Sequence, residues 1–366
     1  MESKIVIHFV HTLYGGVANV ASNLIIHQKK MGWKIIVVYV IYDESFQKLV
    51  GNDVEYVRIK VKKYPGYFMC FGMKVKTIYD LYTKKYPNKK VICHVHNIQA
   101  LGTFGNWKKI PLICTLHSLN GNEKSLRKRI SNKLYVMALK KLLKYNKKIT
   151  SVSKAIMKEY AKISNSESIS VIYNGTEIDS TLRKKQNKFT IGHVGNLSYA
   201  KGFDIVLYGF CNIPKEIRNN MQLFVAGKED DFTFETVKRI AEEYGVVDQV
   251  YCFGYVTNAK KDFISSLDVL ILASRNEGLG LVQAEAMGYG IPVLGSDSGG
   301  ICEILKDKYN GFVVSSSEDV ARKIERLYKD KKLYMKFSKN ALETYNSKFT
   351  QEIMCKLYDE KYLEIK

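Results

Sequence analysis

The chain has 366 residues, 46% of them apolar, 25% charged and only 5 of them Pro, a length beyond what one hydrophobic core usually supports and a composition that excludes a disordered or collagenous protein. Its seven Cys, at 70, 93, 114, 211, 252, 302 and 355, form no Cys-x-x-Cys pair, which fits free thiols in a reducing compartment better than a disulfide framework. The net charge of +21 is lopsided: residues 1–183 hold 31 Lys+Arg against 11 Asp+Glu, while the rest hold 26 against 25, a footprint expected for an anionic partner such as acidic glycan, lipid diphosphate, anionic bilayer or nucleic acid, with a merely lysine-rich composition as the alternative.

The first residues run directly into a strand-like pattern, Ile5–Val10, without the charged start and apolar stretch of a secretory signal. Further β-branched runs follow at 35–41, 91–96, 112–116 and 149–152, separated by amphipathic stretches. A polar, basic segment, Ser180 to Lys188, then precedes a second series at 190–194, 223–226, 250–253, 269–273 and 292–295. Alternation at this spacing reads as βαβ units with parallel sheets, hence an α/β chain of two doubly wound domains divided near that segment. Open sheets of this kind bind ligands outside the carboxyl ends of their strands, so a central cleft between facing domains is the expected site. The longest apolar runs, such as Ile35 to Tyr42, are strand-sized and far short of the ~20 residues that span a bilayer.

The richest stretch is 274–300, Ser-Arg-Asn-Glu-Gly-Leu-Gly-Leu-Val-Gln-Ala-Glu-Ala-Met-Gly-Tyr-Gly-Ile-Pro-Val-Leu-Gly-Ser-Asp-Ser-Gly-Gly. It follows a buried strand, and Gly278 and Gly280 allow backbone to approach a ligand before a helix starts near Leu281. Free N–H groups at a helix start favour an anion. Glu277 on the loop and Glu285 about one turn into the helix then supply two acceptors for the hydroxyls of a sugar diphosphate.

Glu277, seven intervening residues, Glu285-Ala-Met and Gly290-Ile-Pro-Val together resemble the hallmark of glycosyltransferase family 4 and its retaining GT-B relatives. The resemblance extends through Gly15-Gly16, His94-Val-His96-Asn97, Thr115-Leu-His117, Asn174-Gly175, Val194-Gly195, Lys201-Gly202, Val225-Ala-Gly227 and Phe253-Gly254, in the expected order. It implies a GT-B fold: an acceptor-binding Rossmann-like domain over 1–180, a nucleotide-sugar-binding one over 188–350, and a C-terminal helix, 351–366, crossing back to the first.

By resemblance, Glu277, Lys201 and His117 are the catalytic positions, with Glu277 on the transferred sugar, Lys201 on the diphosphate and His117 near the reacting carbon. Glu285 would take the donor ribose hydroxyls, and Gly278, Leu279, Gly280 and Leu281 would present backbone to sugar and diphosphate, as Gly16 would to the phosphates. One position departs from the pattern: the family usually carries Gly-Arg before the Lys-Gly, where this chain has Gly195-Asn196. Asn196 donates hydrogen bonds but brings no charge, and Arg275 is the candidate substitute cation. The family's chemistry is transfer with retention from a nucleotide-sugar co-substrate, UDP-sugar or GDP-sugar, with no cofactor and no metal, a leaving-phosphate oxygen taking the acceptor's proton.

On the acceptor side, the helical run 124–144 places Leu126, Ile130, Leu134 and Met137 beneath a basic face, and Lys60–Lys74 carries a Tyr67-Phe68-Met-Cys-Phe71 tip between lysines. Both fit an anionic membrane surface and a glycan or lipid-linked acceptor, and a cytoplasmic protein peripheral to the inner membrane face. The expected role is assembly of a surface polysaccharide or glycolipid. A zinc site at His94, His96 and His117 lacks a completing Cys or carboxylate. An NAD-dependent oxidoreductase would need Gly-x-Gly-x-x-Gly where the chain has His11-Thr-Leu-Tyr-Gly-Gly-Val-Ala. Nucleic-acid binding would explain the charge but not the two cleft glutamates. A GT-B scaffold that binds without turnover is the alternative Asn196 raises.

Overall fold

The computed structural model describes residues 4–60, 67–97, 107–118, 136–145, 147–164, 168–256 and 259–365. It divides into two compact units, residues 1–174 with 351–366, and residues 175–350. The segment from 180 to 188 belongs to the second unit, and the C-terminal residues to the first.

The first unit is a seven-stranded sheet ordered β3-β2-β1-β4-β5-β6-β7, every neighbouring pair parallel. The strands are β1 (Ile5–Thr12), β2 (Lys34–Ile41), β3 (Glu55–Arg58), β4 (Val91–His96), β5 (Leu112–Leu116), β6 (Lys148–Ser151) and β7 (Ile169–Val171). The central strands β1, β4 and β5 are buried almost throughout on both faces, as a parallel sheet covered on both sides requires, and carry His8, His94, His96 and Thr115 among their apolar residues. Helix α1 (Gly16–Lys30) leaves directly from the carboxyl end of β1. Helices α2 (Glu44–Val50), α3 (Tyr67–Lys85) and α4 (Lys154–Ser164) make further crossovers.

The second unit repeats the plan with six parallel strands ordered β10-β9-β8-β11-β12-β13. They are β8 (Phe189–Val194), β9 (Met221–Ala226), β10 (Val250–Cys252), β11 (Val269–Leu272), β12 (Val293–Gly295) and β13 (Gly311–Val313). The longer helices are α5 (Phe203–Cys211), α6 (Phe234–Glu243), α7 (Leu281–Gly288), α8 (Ser317–Lys329) and α9 (Lys331–Lys348). Helix α8 shows how local sequence sets an end: the Ser316 side chain accepts from Asp319 N, 3.2 Å away, and Glu318 and Asp319 sit in the positive first turn. Its apolar stripe, Val320, Ile324 and Leu327, joins a core that includes Phe203, Leu207, Phe210 and Leu223, each fully buried side chain contributing ~1.5–3 kcal/mol.

Both sheets change winding direction once, between β1 and β4 in the first unit and between β8 and β11 in the second. Two loops diverge at each of these points, leaving an opening at the carboxyl ends of the strands. Helix α10 (Gln351–Leu363) returns to the first unit, where Tyr362 packs edge-on to Trp33 at 5.5 Å and Asp359 accepts from His27 at 2.8 Å. Lys90 caps the carbonyl of Ile365. Among the described residues no helix is long and apolar enough to cross a membrane.

Candidate functional site

In the second unit the two loops of the switch point carry the charged residues. The loop after β8 brings Lys201 to its end, and the loop after β11 brings Glu277, so that Lys201 Nζ donates to Glu277 Oε2 at 2.7 Å. Ser274 Oγ donates to the same oxygen at 3.2 Å. The Lys201 side chain keeps 35% of its exposure against 17% for Glu277, which leaves the ammonium with a solvent-facing side. Gly202 has φ +66°, and a Cβ there would lie 1.9 Å from the carbonyl oxygen of Ala273, so only glycine lets the two loops approach this closely.

Beyond Glu277 the chain runs through Gly278 and buried Leu279 to Gly280, whose left-handed backbone (φ +74°) starts α7 at Leu281. A third loop clamps this turn: Gly300 N donates to Glu277 O at 2.9 Å and Ser298 Oγ to Arg275 O at 2.8 Å. Gly299, at φ +55°, passes so near that a Cβ would stand 2.1 Å from Glu277 O. The motif's trailing Ser-Gly-Gly therefore holds the Glu277 backbone in place. Glu285 lies half-buried in the second turn of α7.

Two expected donor-site residues stand differently. Asn196 is exposed on the loop after β8, where its carbonyl accepts from Ser198 N at 2.8 Å. Arg275 is committed to its own unit. Its guanidinium donates to both carboxylate oxygens of Asp204, at 2.8 and 2.6 Å, and to the carbonyl of Tyr199. Hydrogen bonding to Asp204 raises its already high pKa.

Among the described residues the switch point of the first unit is neutral. Gly16 opens α1 beside β1, with open space where a Cβ would be. Four histidines line one face of the sheet nearby. His8 and His94 are register partners on β1 and β4, His96 is two residues further along β4, and His117 follows β5. His8 Nε2 meets Gln28 Oε1 of α1 at 2.8 Å, His8 Nδ1 meets His96 Nε2 at 3.1 Å, and His96 Nδ1 meets His117 Nε2 at 3.1 Å. Asn97, in the left-handed region at φ 75°, accepts from His117 N through Oδ1 at 2.8 Å. His94 is held by Tyr362 of α10 and by Thr115 at 2.8 Å, and Thr115 continues to Thr150 and Tyr358 at 2.8 and 3.0 Å. Burial pushes His8 down to about 4 and His117 to about 3, and His94 and His96 well below the usual imidazole value, so all four rings are neutral at pH 7. His8, His94 and His96 are close enough to enclose a metal ion. Yet all six of their ring nitrogens already have hydrogen-bond partners, the arrangement of a polar network rather than a ligand set.

The structure thus brings Lys201, Glu277 and the Gly278–Leu281 turn together, with Glu285 on the helix behind them, and gathers His117 with the other histidines in the first unit. Sequence reasoning overlooked Gln28, Asp204 and the clamp from Ser298 to Gly300. Spacing alone does not pair Gln28 with His8 or Asp204 with Arg275, since both contacts depend on how a helix lies over the sheet. The run of Lys60–Lys74 and the segment 119–135, which contains Leu126, Ile130 and Leu134, lie largely outside the described residues. Met137 is exposed, while Trp107 is fully buried under Lys141, whose ammonium stands 5.0 Å from the ring centroid.

Both parallel-sheet units are Rossmann-like, and the second carries a lysine–glutamate pair and a glycine turn at its switch point. Residues 14–180 match the model of Glycosyltransferase Family 4, and residues 175–344 that of Glycosyl transferases group 1. The chain belongs to these glycosyltransferases and has their GT-B fold. It is 23% identical to an N-acetyl-alpha-D-glucosaminyl L-malate synthase of Bacillus anthracis, over 88% of this chain and 86% of that one. The structure is similar to that of Anabaena HepE in complex with UDP and glucose (TM-score 0.77, 17% identity, 98% of this chain and 99% of that). It is also similar to WaaG, a glycosyltransferase involved in lipopolysaccharide biosynthesis (TM-score 0.72, 16% identity, 97% and 99%).

Proposed function

We propose that this glycosyltransferase takes a sugar from a UDP- or GDP-sugar and transfers it, with retention and without a metal, to a glycan or lipid-linked acceptor of a surface polysaccharide or glycolipid. The observation that carries this reading is the Lys201–Glu277 pair at the switch point of the second sheet, 2.7 Å apart and beside the start of α7. A partly exposed ammonium and helix-start amides suit a diphosphate, and a carboxylate on the same loop suits sugar hydroxyls. Glu285 takes the ribose hydroxyls, while Gly16 and His117 serve the phosphates and the sugar. The UDP bound by HepE and the lipopolysaccharide role of WaaG support a nucleotide donor and a surface-glycan product.

In this reading the acceptor oxygen attacks the anomeric carbon from the face the diphosphate leaves. The bond to the diphosphate oxygen breaks, and the acceptor's proton passes to a leaving-phosphate oxygen. Lys201 stabilises the negative charge that develops there. The excess of cations in the first half draws the protein to an anionic membrane surface, where a lipid-linked acceptor is held.

The test is turnover of UDP- and GDP-sugars with EDTA present, followed by proton NMR of the product anomer. Retained configuration and undiminished rate support the proposal, and an inverted product or loss of rate on chelation contradicts it. Asn196 without charge, and Arg275 already paired to Asp204, favour a second reading: a binding scaffold with little turnover. Tight donor binding with no release of free nucleotide would identify it.

A further inference from the structure

The hydrogen bonds between the histidines have a direction. A neutral imidazole carries one N–H and one lone pair, so each ring in a chain of such bonds must accept at one nitrogen and donate from the other. Gln28 presents Oε1, an acceptor, to His8 Nε2 at 2.8 Å. His8 therefore carries its proton on Nε2 and accepts at Nδ1, which obliges His96 Nε2 to donate across 3.1 Å. His96 then accepts at Nδ1, and His117 must donate from Nε2 across the next 3.1 Å. One amide thus determines the proton positions of three rings, ending on the residue at the carboxyl end of β5.

Burial keeps the chain intact. His8 and His96 are at most 1% exposed, so neither ring exchanges its partner for water, and none of the three is charged near neutral pH, where a second N–H would break the sequence of donors and acceptors. The His117 backbone is held by Asn97 Oδ1 at 2.8 Å, and the Gln28 amide is buried on α1 with Oε1 toward His8 and Nε2 without a hydrogen-bond partner among the described residues.

We propose that Gln28 is a positioning residue which, through His8 and His96, holds His117 in the tautomer protonated at Nε2, leaving Nδ1 as an acceptor for a hydroxyl of the donor sugar. This rests on the assignment of His117 to the donor sugar in the proposed function. Gln28, His8 and His96 act on the substrate only through His117. Its effect is that His117 meets the sugar as an acceptor and not as a donor.

The tautomer is read directly from long-range proton–nitrogen spectra of the full-length protein with 15N-labelled histidine, the His117 signals being identified by their loss in His117→Gln. The expected result at pH 7 is a single His117 tautomer with a protonated Nε2 and a bare Nδ1. Gln28→Leu removes the acceptor and should give mixed tautomers at His117 and a fall in kcat by the factor to which the Nε2-protonated form is depopulated, roughly twofold for an even mixture. Gln28→Glu restores an acceptor oxygen and should restore both.

A His117 proton on Nδ1 in the unaltered protein, as a reversed Gln28 amide would produce, overturns the proposal without need of any variant. So does unchanged kcat in Gln28→Leu despite mixed tautomers. Failure of the donor-site reading appears separately, as nucleotide-sugar binding that Glu285→Ala does not weaken.

Discussion

The switch points of the two sheets use opposite chemistry on the same backbone plan. In the first unit it is bordered by imidazoles that burial holds neutral and that bond to one another in series. In the second, a lysine and a glutamate stand 2.7 Å apart with the ammonium partly open to solvent. Neutral rings with fixed donors and acceptors discriminate hydroxyl groups but contribute nothing to holding a dianion. An ion pair whose cation remains accessible can turn that cation toward phosphate when a ligand arrives. The excess charge of the first half is not found among the described residues at its switch point, where the histidines are neutral.

The largest effect that would break this comparison is at Lys201. Lys201→Ala should lower kcat by ~10²–10³ while changing donor affinity much less, since its contribution grows as the diphosphate departs. A steady-state comparison of kcat with KM checks this, and equal losses in both would assign Lys201 to binding alone. Gly202→Ala should cost roughly 3 kcal/mol of stability, measured by denaturant midpoint, because its Cβ would collide with the Ala273 carbonyl and because φ is +66°. Glu285→Ala should weaken donor binding by ~10- to 50-fold in calorimetry, through loss of charge-assisted hydrogen bonds to hydroxyls.

The neutral histidines make a prediction of definite sign. His8 and His117 titrate near 4 and 3 in the folded chain but at about 6.5 when unfolded, so below about 6.5 the unfolded state binds more protons. The stability they contribute is complete above that value and is lost as pH falls to about 4 for His8 and about 3 for His117, by up to ~1.4 kcal/mol per pH unit for the fully buried His8 ring. His8→Gln should flatten the slope of unfolding free energy against pH, and an unchanged slope would mean that His8 is protonated in the fold. The smallest effect is expected at Arg275. With its guanidinium held by Asp204 at an exposed position, Arg275→Ala should change donor affinity and stability by less than ~1 kcal/mol. A hundredfold loss of kcat would instead make it the substitute for the charge that Asn196 lacks.

The sheets were largely legible in the sequence because their central strands are short, β-branched and buried on both faces. The runs at 91–96 and 112–116 are strands β4 and β5 over the same residues. The edge strand Glu55–Arg58 was not recognised, since its half-exposed residues read as polar loop, and neither was Gly311–Val313, three residues following a turn. The glycine turn before α7 was legible for a different reason: positive φ at Gly280 leaves few other residues able to stand there. Resemblance placed Lys201 on the diphosphate and Glu277 on the sugar separately, and the ion pair between these residues 76 positions apart was not foreseen. Of the histidine chain, the sequence grouped His94, His96 and His117 but not His8. Its partner Gln28 sits on a helix, and nothing in a periodic pattern tells which buried polar residue of that helix faces the sheet.

The most direct test of a nucleotide-sugar site in the second unit is thermal-shift binding of UDP-, GDP-, ADP- and CMP-sugars to the unaltered protein, Lys201→Ala and Glu285→Ala. The account predicts that one donor stabilises the unaltered protein selectively, that Lys201→Ala keeps most of that stabilisation, and that Glu285→Ala loses it. Folded protein that no donor stabilises, or a stabilisation that survives Glu285→Ala, would contradict it.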